Sequence, residues 1–294
     1  MRIAIFTITQ NDPWLPWWAE HARSQGFQKE DIYILDHGST GTFRDKYLVK
    51  LALQHPVIRV RHRYSYDYDW LSETVSSFQR FLSTHYDVVV FTAADELMYP
   101  TQRATVVDAL REEPSRAVGD YVEAWEVVQQ PGEAAYDIHL PWDVQRTRGF
   151  RSNYYRRIRV MRKPVILVPP RTAAMTPFGR AYNVAWEQPS LSSVVIAHMH
   201  RMDFHRATVR HREIVNNRLL RQYSEESGAP HRHNLITGEE AVINWIGTDP
   251  DRPGHKAVMM PLPMLAKESG DGRGFSAGDA EGEGGSSSSS VGWQ

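Results

Sequence analysis

An apolar run, Val88-Val89-Val90-Phe91, leads directly into Thr92-Ala93-Ala94-Asp95-Glu96, and the segment closes at Pro100. Two adjacent carboxylates at the end of a buried strand are hard oxygen donors that can hold a divalent cation. In an open α/β sheet, ligands sit at the carboxyl ends of strands. A cation held there would neutralise a pyrophosphate, so the segment points to a diphosphate-bearing substrate. The same acid pair also suits the first turn of a helix, where the macrodipole favours negative charge.

Three other segments carry comparable chemistry. Thr9-Gln10-Asn11-Asp12 and Asp36-His37-Gly38-Ser39-Thr40 each follow an apolar run, and His198-Met199-His200 ends a third. Side chains alternate along a strand, so His198 and His200 share one face. That suits joint metal binding, or one packed imidazole beside one functional one. Every residue of Asp36 to Thr40 is a turn former, so a plain turn also accounts for it. Tyr64, Tyr66, Tyr68 and Trp70 alternate with polar residues, either to stack a base or sugar or to pack a strand or loop. Arg146 to Lys163 contains eight basic residues and no acid. Arginine forks match phosphate oxygens. One or two would suffice for a diphosphate or an anionic acceptor, the rest forming a solvated face.

Alternating strands and helices position these segments. Arg2 to Thr9 reads as the first buried strand. Asp12 then caps a helix with Pro13 at its first position. That helix carries Trp14, Leu15, Trp17, Trp18 and Ala22 and ends near Gly26. Strands follow at Asp31 to Asp36, Val57 to Arg61 and Val88 to Thr92. Helices run to about Gln54, from Trp70 to His85 and from Thr101 to Glu112. This alternation predicts an α/β fold: a Rossmann-like, mixed, mostly parallel sheet with helices on both faces. After Ser115 the pattern changes. Strands are expected at Asp120 to Gln129, Tyr136 to Leu140, Ile158 to Met161, Val165 to Val168 and Ser193 to His200. A helix from Phe204 to Tyr223 closes the fold. Residues 266–294 are mostly Gly, Ser and acidic, too polar to offset ordering entropy, and are expected to be disordered.

Composition narrows the class. Of 294 residues none is cysteine, which excludes disulfides, thiolate metal sites and a cysteine nucleophile. The net charge of −1 gives no global field for nucleic acid or membrane. No apolar run reaches the length needed to span a bilayer. Met1 to Phe6 reads as a strand rather than a signal peptide. A cytoplasmic protein is the expectation.

Order and spacing together resemble the GT-A glycosyltransferases, specifically the family 2-like group, over Met1 to Asp203. Those chains open with a strand, an Asn-Glu pair and a helix with a Leu-x-x-Trp core; here the segment is Thr9-Gln10-Asn11-Asp12-Pro13-Trp14-Leu15-Pro16-Trp17-Trp18. Their second strand ends in Asp-Asn-Gly-Ser-Thr, here Asp36-His37-Gly38-Ser39-Thr40. Their fourth ends in Asp-x-Asp-Glu-Phe, here Ala93-Ala94-Asp95-Glu96-Leu97. Ala93 therefore replaces the first acid, Asp12 the usual Glu and His37 the usual Asn.

The resemblance implies one domain over 1–265, with a nucleotide-binding half at 1–115 and an acceptor half at 116–265. It implies transfer of a sugar from a nucleotide-sugar donor to an acceptor hydroxyl, with inversion. Thr9, Asn11, Asp12, Asp36 and His37 would hold the nucleotide. Asp95, with His198 and His200, would hold Mg²⁺ or Mn²⁺ on the diphosphate. The base, or an orienting carboxylate, would come from Glu96 and Glu126, with Glu123 and Asp137 in the same region. The acceptor is left open among glycan, lipid-phosphate, protein and small molecule. Ala93 keeps a second class in view: a non-catalytic nucleotide-sugar or glycan binder on a decayed transferase fold. A nucleotidyltransferase would instead carry a Gly- and basic-rich phosphate loop after the first strand, which Thr9 to Asp12 is not.

Overall fold

The computed structural model describes residues 1–60, 68–112, 122–137, 140–152, 159–162, 191–216 and 257–265. β1 (Ile3–Thr9) is buried along almost its whole length. Parallel strands covered on both faces read as continuous apolar runs, and this is one. It lies between β2 (Ile32–Asp36) and β4 (Val88–Phe91), with β3 (Val57–Arg59) beyond β2. These four are parallel. β8 (Arg159–Arg162) adds to β4 in antiparallel sense, giving the order β3-β2-β1-β4-β8. The strand order reverses between β1 and β4, which places a switch-point crevice at their carboxyl ends.

The two faces of this sheet bury different residues. Ile3, Ile5, Ile34, Val88 and Val90 pack with Leu15 and Trp18 of α1 (Leu15–Ser24). Ala4, Phe6, Leu35, Val89 and Phe91 pack with Val75 and Leu82 of α4 (Tyr68–Ser83). This is the period-2 alternation of a sheet covered on both sides. Between β2 and β3 run α2 (Gly41–Phe43), a π turn (Arg44–Leu48) and α3 (Val49–Ala52). Trp18 is 2% exposed, and its indole nitrogen donates to Thr92 Oγ1 at 2.8 Å. That bond ties α1 to the end of β4.

The chain then leaves the first sheet for a second. β5 (Glu96–Pro100) is followed by α5 (Val106–Glu112), β6 (Val122–Val128), α6 (Trp142–Gln145), β7 (Arg148–Ser152), β9 (Leu191–Arg201), α7 (Phe204–Asn216) and β10 (Met260–Pro261). The second sheet has the order β10-β7-β6-β9-β5. β6 and β9 are parallel; the other pairings are antiparallel.

Several sequence expectations are corrected. Glu96 to Pro100 forms a strand that the sequence reading did not expect, pairing with β9 from Glu96↔His198 to Pro100↔Val194. α5 begins at Val106 instead of Thr101. Tyr136 and Asp137 form no strand; the Tyr136 amide donates to Asp203 Oδ2 at 2.8 Å, which ties this segment to the start of α7. Of the strand expected at Ile158 to Met161, Arg159 to Met161 lie in β8, which pairs with β4; Ile158 and Val165 to Val168 lie outside the described residues. α1 starts at Leu15 with Pro16 in its first turn, so Pro13 precedes the helix. Tyr64, Tyr66 and residues 266–294 lie outside the described residues, as does the expected helix beyond Asn216. Among the described residues no helix is long and apolar enough to cross a membrane.

Candidate functional site

The loops after β1 and β2 are laced together by hydrogen bonds. Asn11 sits at φ 52, a left-handed conformation that asparagine tolerates better than most residues. Its amide donates to Ser39 Oγ at 2.9 Å, and its side-chain oxygen accepts from the Thr40 amide at 3.0 Å. The Ser39 amide donates to Asp36 Oδ1 at 2.8 Å, and the His37 amide to the Thr9 carbonyl at 2.8 Å. Gly38, at φ 78, supplies the turn between them. Asp36 is 3% exposed, with Oδ2 3.5 Å from Arg59 Nε. The His37 ring lies on Trp70, centroids 4.5 Å apart at 33°. Thr9 is buried, and its hydroxyl has no hydrogen-bond partner among the described residues. Thr9, Asn11, Asp36 and His37 therefore gather at one edge of the first sheet. Asp12 is directed to the helix entry, where Oδ1 accepts from the Trp14 amide at 2.9 Å.

The second cluster forms where the chain crosses between sheets. The Glu96 amide donates to the Ala93 carbonyl at 3.0 Å, and the Ala93 amide donates back to Glu96 Oε2 at 2.9 Å. This reciprocal pair closes the turn that presents Asp95. The Asp95 carbonyl accepts from the Met199 amide at 2.8 Å, which fixes the turn against β9. Glu126 on β6 and Glu96 on β5 both stand opposite His198 on β9. Directly opposed residues share a face, so all three side chains project the same way. His198 Nδ1 is 2.9 Å from Glu126 Oε1, and its Nε2 is 3.7 Å from Asp95 Oδ2. The His200 ring lies 5.4 Å from that of His198.

Arg201 completes this cluster, and the sequence reading did not single it out. Its Nε is 3.5 Å from Glu126 Oε2. Three residues beyond His198, a regular strand would place Arg201 on the opposite face. A register shift between Glu126↔His198 and Val128↔Arg201 bends the ladder there. Such bulges re-aim side chains.

The charges answer one another. Burial alone would lower the His198 imidazolium, but the Glu126 and Asp95 carboxylates outweigh it and push it up to about 10. Burial alone would raise Glu126, which is 0% exposed, but His198 and Arg201 hold it below the usual carboxylate value. Burial pushes Glu96 up to about 7; the charge of His198 opposes that shift, and Asp95 and Glu126 add to it.

These residues suit a metal ion. Asp95, His198 and His200 each offer one ligand atom, all within 4.8 Å of one another. One carboxylate and two imidazoles form a familiar donor set for divalent ions. The bond from His198 Nδ1 to a carboxylate, leaving Nε2 toward Asp95, is the support usual for a metal-binding histidine.

Arg146 plays another part than the composition of its stretch suggests, while Arg148 and Arg151 are exposed. Arg146 is 2% exposed and donates to the carbonyls of Met202, Gln145 and Ala134 at 2.8, 2.9 and 2.7 Å. It clamps the chain ahead of α7 instead of facing solvent or phosphate. Arg148 donates to the Met259 carbonyl, and Arg151 pairs with Glu123 at 3.2 Å. Glu123 also accepts from the Trp125 indole at 2.6 Å, and the Asp137 amide bonds Gln145. Arg156, Arg157 and Lys163 lie outside the described residues.

No family model matches the chain, and no curated protein matches it either. Several solved structures are similar to it at low identity. One is a mannosyltransferase from Pyrobaculum calidifontis in complex with GDP-Man and Mn²⁺: 16% identity, 83% of this chain and 71% of that one, TM-score 0.37. Another is S. aureus TarS 1-349 in complex with UDP: 12% identity, 84% and 78% covered, TM-score 0.34. A third is CMP:2-keto-3-deoxy-manno-octonic acid synthetase complexed with CTP: 14% identity, 55% and 74% covered, TM-score 0.30. The mixed α/β class, with its mostly parallel first sheet, is evident in this chain's own strand order.

Proposed function

We propose that the protein transfers a sugar from a nucleotide-sugar donor to an acceptor hydroxyl, with a divalent ion, Mg²⁺ or Mn²⁺, held by Asp95, His198 and His200. The observation that carries this is the convergence of those three residues at the end of β4, next to the strand whose loop is laced to Asp36 through Asn11 and Ser39. A diphosphate needs positive charge at one end and a nucleoside slot at the other, and this reading assigns the first to the ion and the second to the loops after β1 and β2. The order of motifs, which resembles the family 2-like transferases, supports the same reading.

This reading gives each residue a role that its contacts support. Asp36, Thr9, Asn11 and His37 form the nucleoside wall. Asp12 sets the start of α1, which bounds that wall. Asp95 and the two imidazoles orient the diphosphate. A bound ion supplies Lewis acidity toward the leaving diphosphate. Positive charge fixed in advance at the leaving group is the main catalytic term in such a site. Glu96 braces the Asp95 turn. The transfer inverts the anomeric centre, as the resemblance implies.

The test is turnover of a nucleotide-sugar panel, with and without chelation, in wild type and Asp95→Ala. The expected result is turnover that falls about a hundredfold or more in Asp95→Ala, matched by chelating the wild type. Turnover indifferent to both would overturn the ion-dependent reading. Ala93, which stands where the resembling family has its first acid, favours one second reading: binding of the donor without turnover. Saturable donor binding with no product in any acceptor mixture would select it.

A further inference from the structure

We infer that Trp14, Tyr136 and Arg206 form a subsite for an oxyanion, a carboxylate or phosphate group carried by the acceptor. The acceptor's part in this rests on the transfer reading above; the oxyanion subsite stands apart from it.

The three side chains come from separate segments. Trp14 stands at the entry to α1, just beyond Asp12, whose Oδ1 holds its amide. Tyr136 precedes α6, and Arg206 lies in the first turn of α7, shortly past the end of β9. The Arg206 guanidinium lies over the Trp14 ring, 4.8 Å from its centroid, and over the Tyr136 ring at 5.6 Å. The two rings are 5.1 Å apart. The box therefore bridges the loop after β1, which carries Asn11 and Asp12, and the chain that leaves His198 and His200.

Two donors in the box are unanswered. Tyr136 is 8% exposed, and its hydroxyl, like Arg206 Nη1, is buried without a hydrogen-bond partner among the described residues. Buried tyrosine hydroxyls usually find a partner, and a buried polar group without one calls for an explanation. The rings do not supply it. Stacking uses the face of a guanidinium and leaves its in-plane N–H groups free to bond. Asp203 does not supply it either. Its Oδ1 accepts from the Arg206 amide at 2.7 Å and its Oδ2 from the Tyr136 amide at 2.8 Å. Burial pushes the Tyr136 phenol up to about 12, against the pull of Arg206, so it keeps its proton and donates. A guanidinium and a phenol thus present donors alone. The matching group is an acceptor with negative charge, a carboxylate or a phosphate.

The box is also held ready. Asp203 ties Tyr136 and Arg206 together, and Arg146 grips the Ala134 and Met202 carbonyls on either side of them. Donors fixed in advance lose little freedom on binding. The transfer reading gives the donor's diphosphate to the ion. Tyr136 and Arg206 lie in the half that the resemblance gives to the acceptor, so the oxyanion belongs to that substrate.

The experiment has two arms, both on the full chain. In the first, inorganic phosphate and acetate are titrated into ion-free, donor-free protein at constant ionic strength, read by broadening of the phosphorus and methyl resonances. The expected result is saturable broadening of at least one of them, weakened about tenfold or more in Arg206→Gln and about fivefold in Tyr136→Phe. Near-ultraviolet circular dichroism checks the fold, and Tyr136→Phe, which keeps the ring, serves if Arg206→Gln does not fold. Broadening that is absent for both anions, or equal in wild type and folded variants, would overturn the subsite. In the second arm, monosaccharides are offered with the nucleotide-sugar panel as neutral methyl glycosides, uronates and 6-phosphates, which separates carboxylate from phosphate. One charged form is expected to show a KM about tenfold or more below that of its neutral counterpart, and Arg206→Gln to erase the difference. Charged and neutral forms used alike would overturn the assignment to the acceptor. Turnover of no donor would overturn the transfer reading and that assignment with it, while anion binding lost in Arg206→Gln would still uphold the subsite.

Discussion

The two halves of the site are held by different forces. Around the loops after β1 and β2, backbone amides and neutral side chains do most of the work, with Asp36 as the one buried charge. Around the end of β4 and on β9, three carboxylates stand with two imidazoles and one guanidinium. A neutral lattice keeps its shape as pH and salt change. A buried ionic cluster responds to protons and to ions. The first arrangement suits the part of a ligand that is the same in every turnover. The second suits the part whose charge changes.

Trp18→Ala would test whether the halves stand or fall together, because α1 touches both sheets and the Trp18 indole bonds Thr92 just ahead of Asp95. Truncating a buried tryptophan costs about 3–5 kcal/mol. Urea denaturation should show that loss in a single transition; two separated transitions would mean the halves fold independently. Ser39→Ala removes the acceptor for the Asn11 amide. It should cost about 1 kcal/mol in stability and raise KM for the donor with little change in ion affinity. A change in ion affinity instead would erase the division between the halves.

pH separates them further. The folded value of His198 is about 10, above its ordinary 6.5. Its contribution to stability is therefore complete below 6.5 and lost as pH rises through 10. Glu126 is held below its ordinary 4.5, so its contribution is present above 4.5 and lost as pH falls below it. Denaturation of the ion-free chain between pH 6.5 and 10 should show falling stability. His198→Gln should flatten that slope and Ser39→Ala should leave it alone. Glu96 acts in a lower pH window. With its carboxyl raised to about 7, the ionised form is disfavoured. Stability should decline between pH 4.5 and 7, and Glu96→Gln, which keeps an acceptor for the Ala93 amide, should abolish that decline.

The first half was legible in the sequence for a local reason. β1 is a continuous apolar run, and Asp36 to Thr40 is built from turn formers whose bonds reach the neighbouring loop. His198 and His200 could be placed on one face by strand parity alone. Glu126 was flagged as an acid, but its partner lies 72 residues away, so its position beneath His198 was not readable. Arg201 was hidden more deeply, since parity put it on the wrong face and only the bulge restores it. β5 was not expected because it opens on Glu96, directly after Asp95, and ends on a proline; its pairing with β9 decides the matter. Arg146 shows the limit of composition. A buried clamp on three carbonyls and a solvated arginine look alike until the partners are known.

The division into a nucleoside wall and an ion-held diphosphate is tested most directly by binding. UDP, GDP and their nucleosides would be titrated calorimetrically into wild type and Asp95→Ala, with and without Mn²⁺. The account predicts that Mn²⁺ tightens diphosphate binding in wild type by about 5–150-fold and leaves nucleoside binding unchanged. Asp95→Ala should remove the first effect and spare the second. Diphosphate binding indifferent to Mn²⁺, or an ion effect that survives Asp95→Ala, would contradict it.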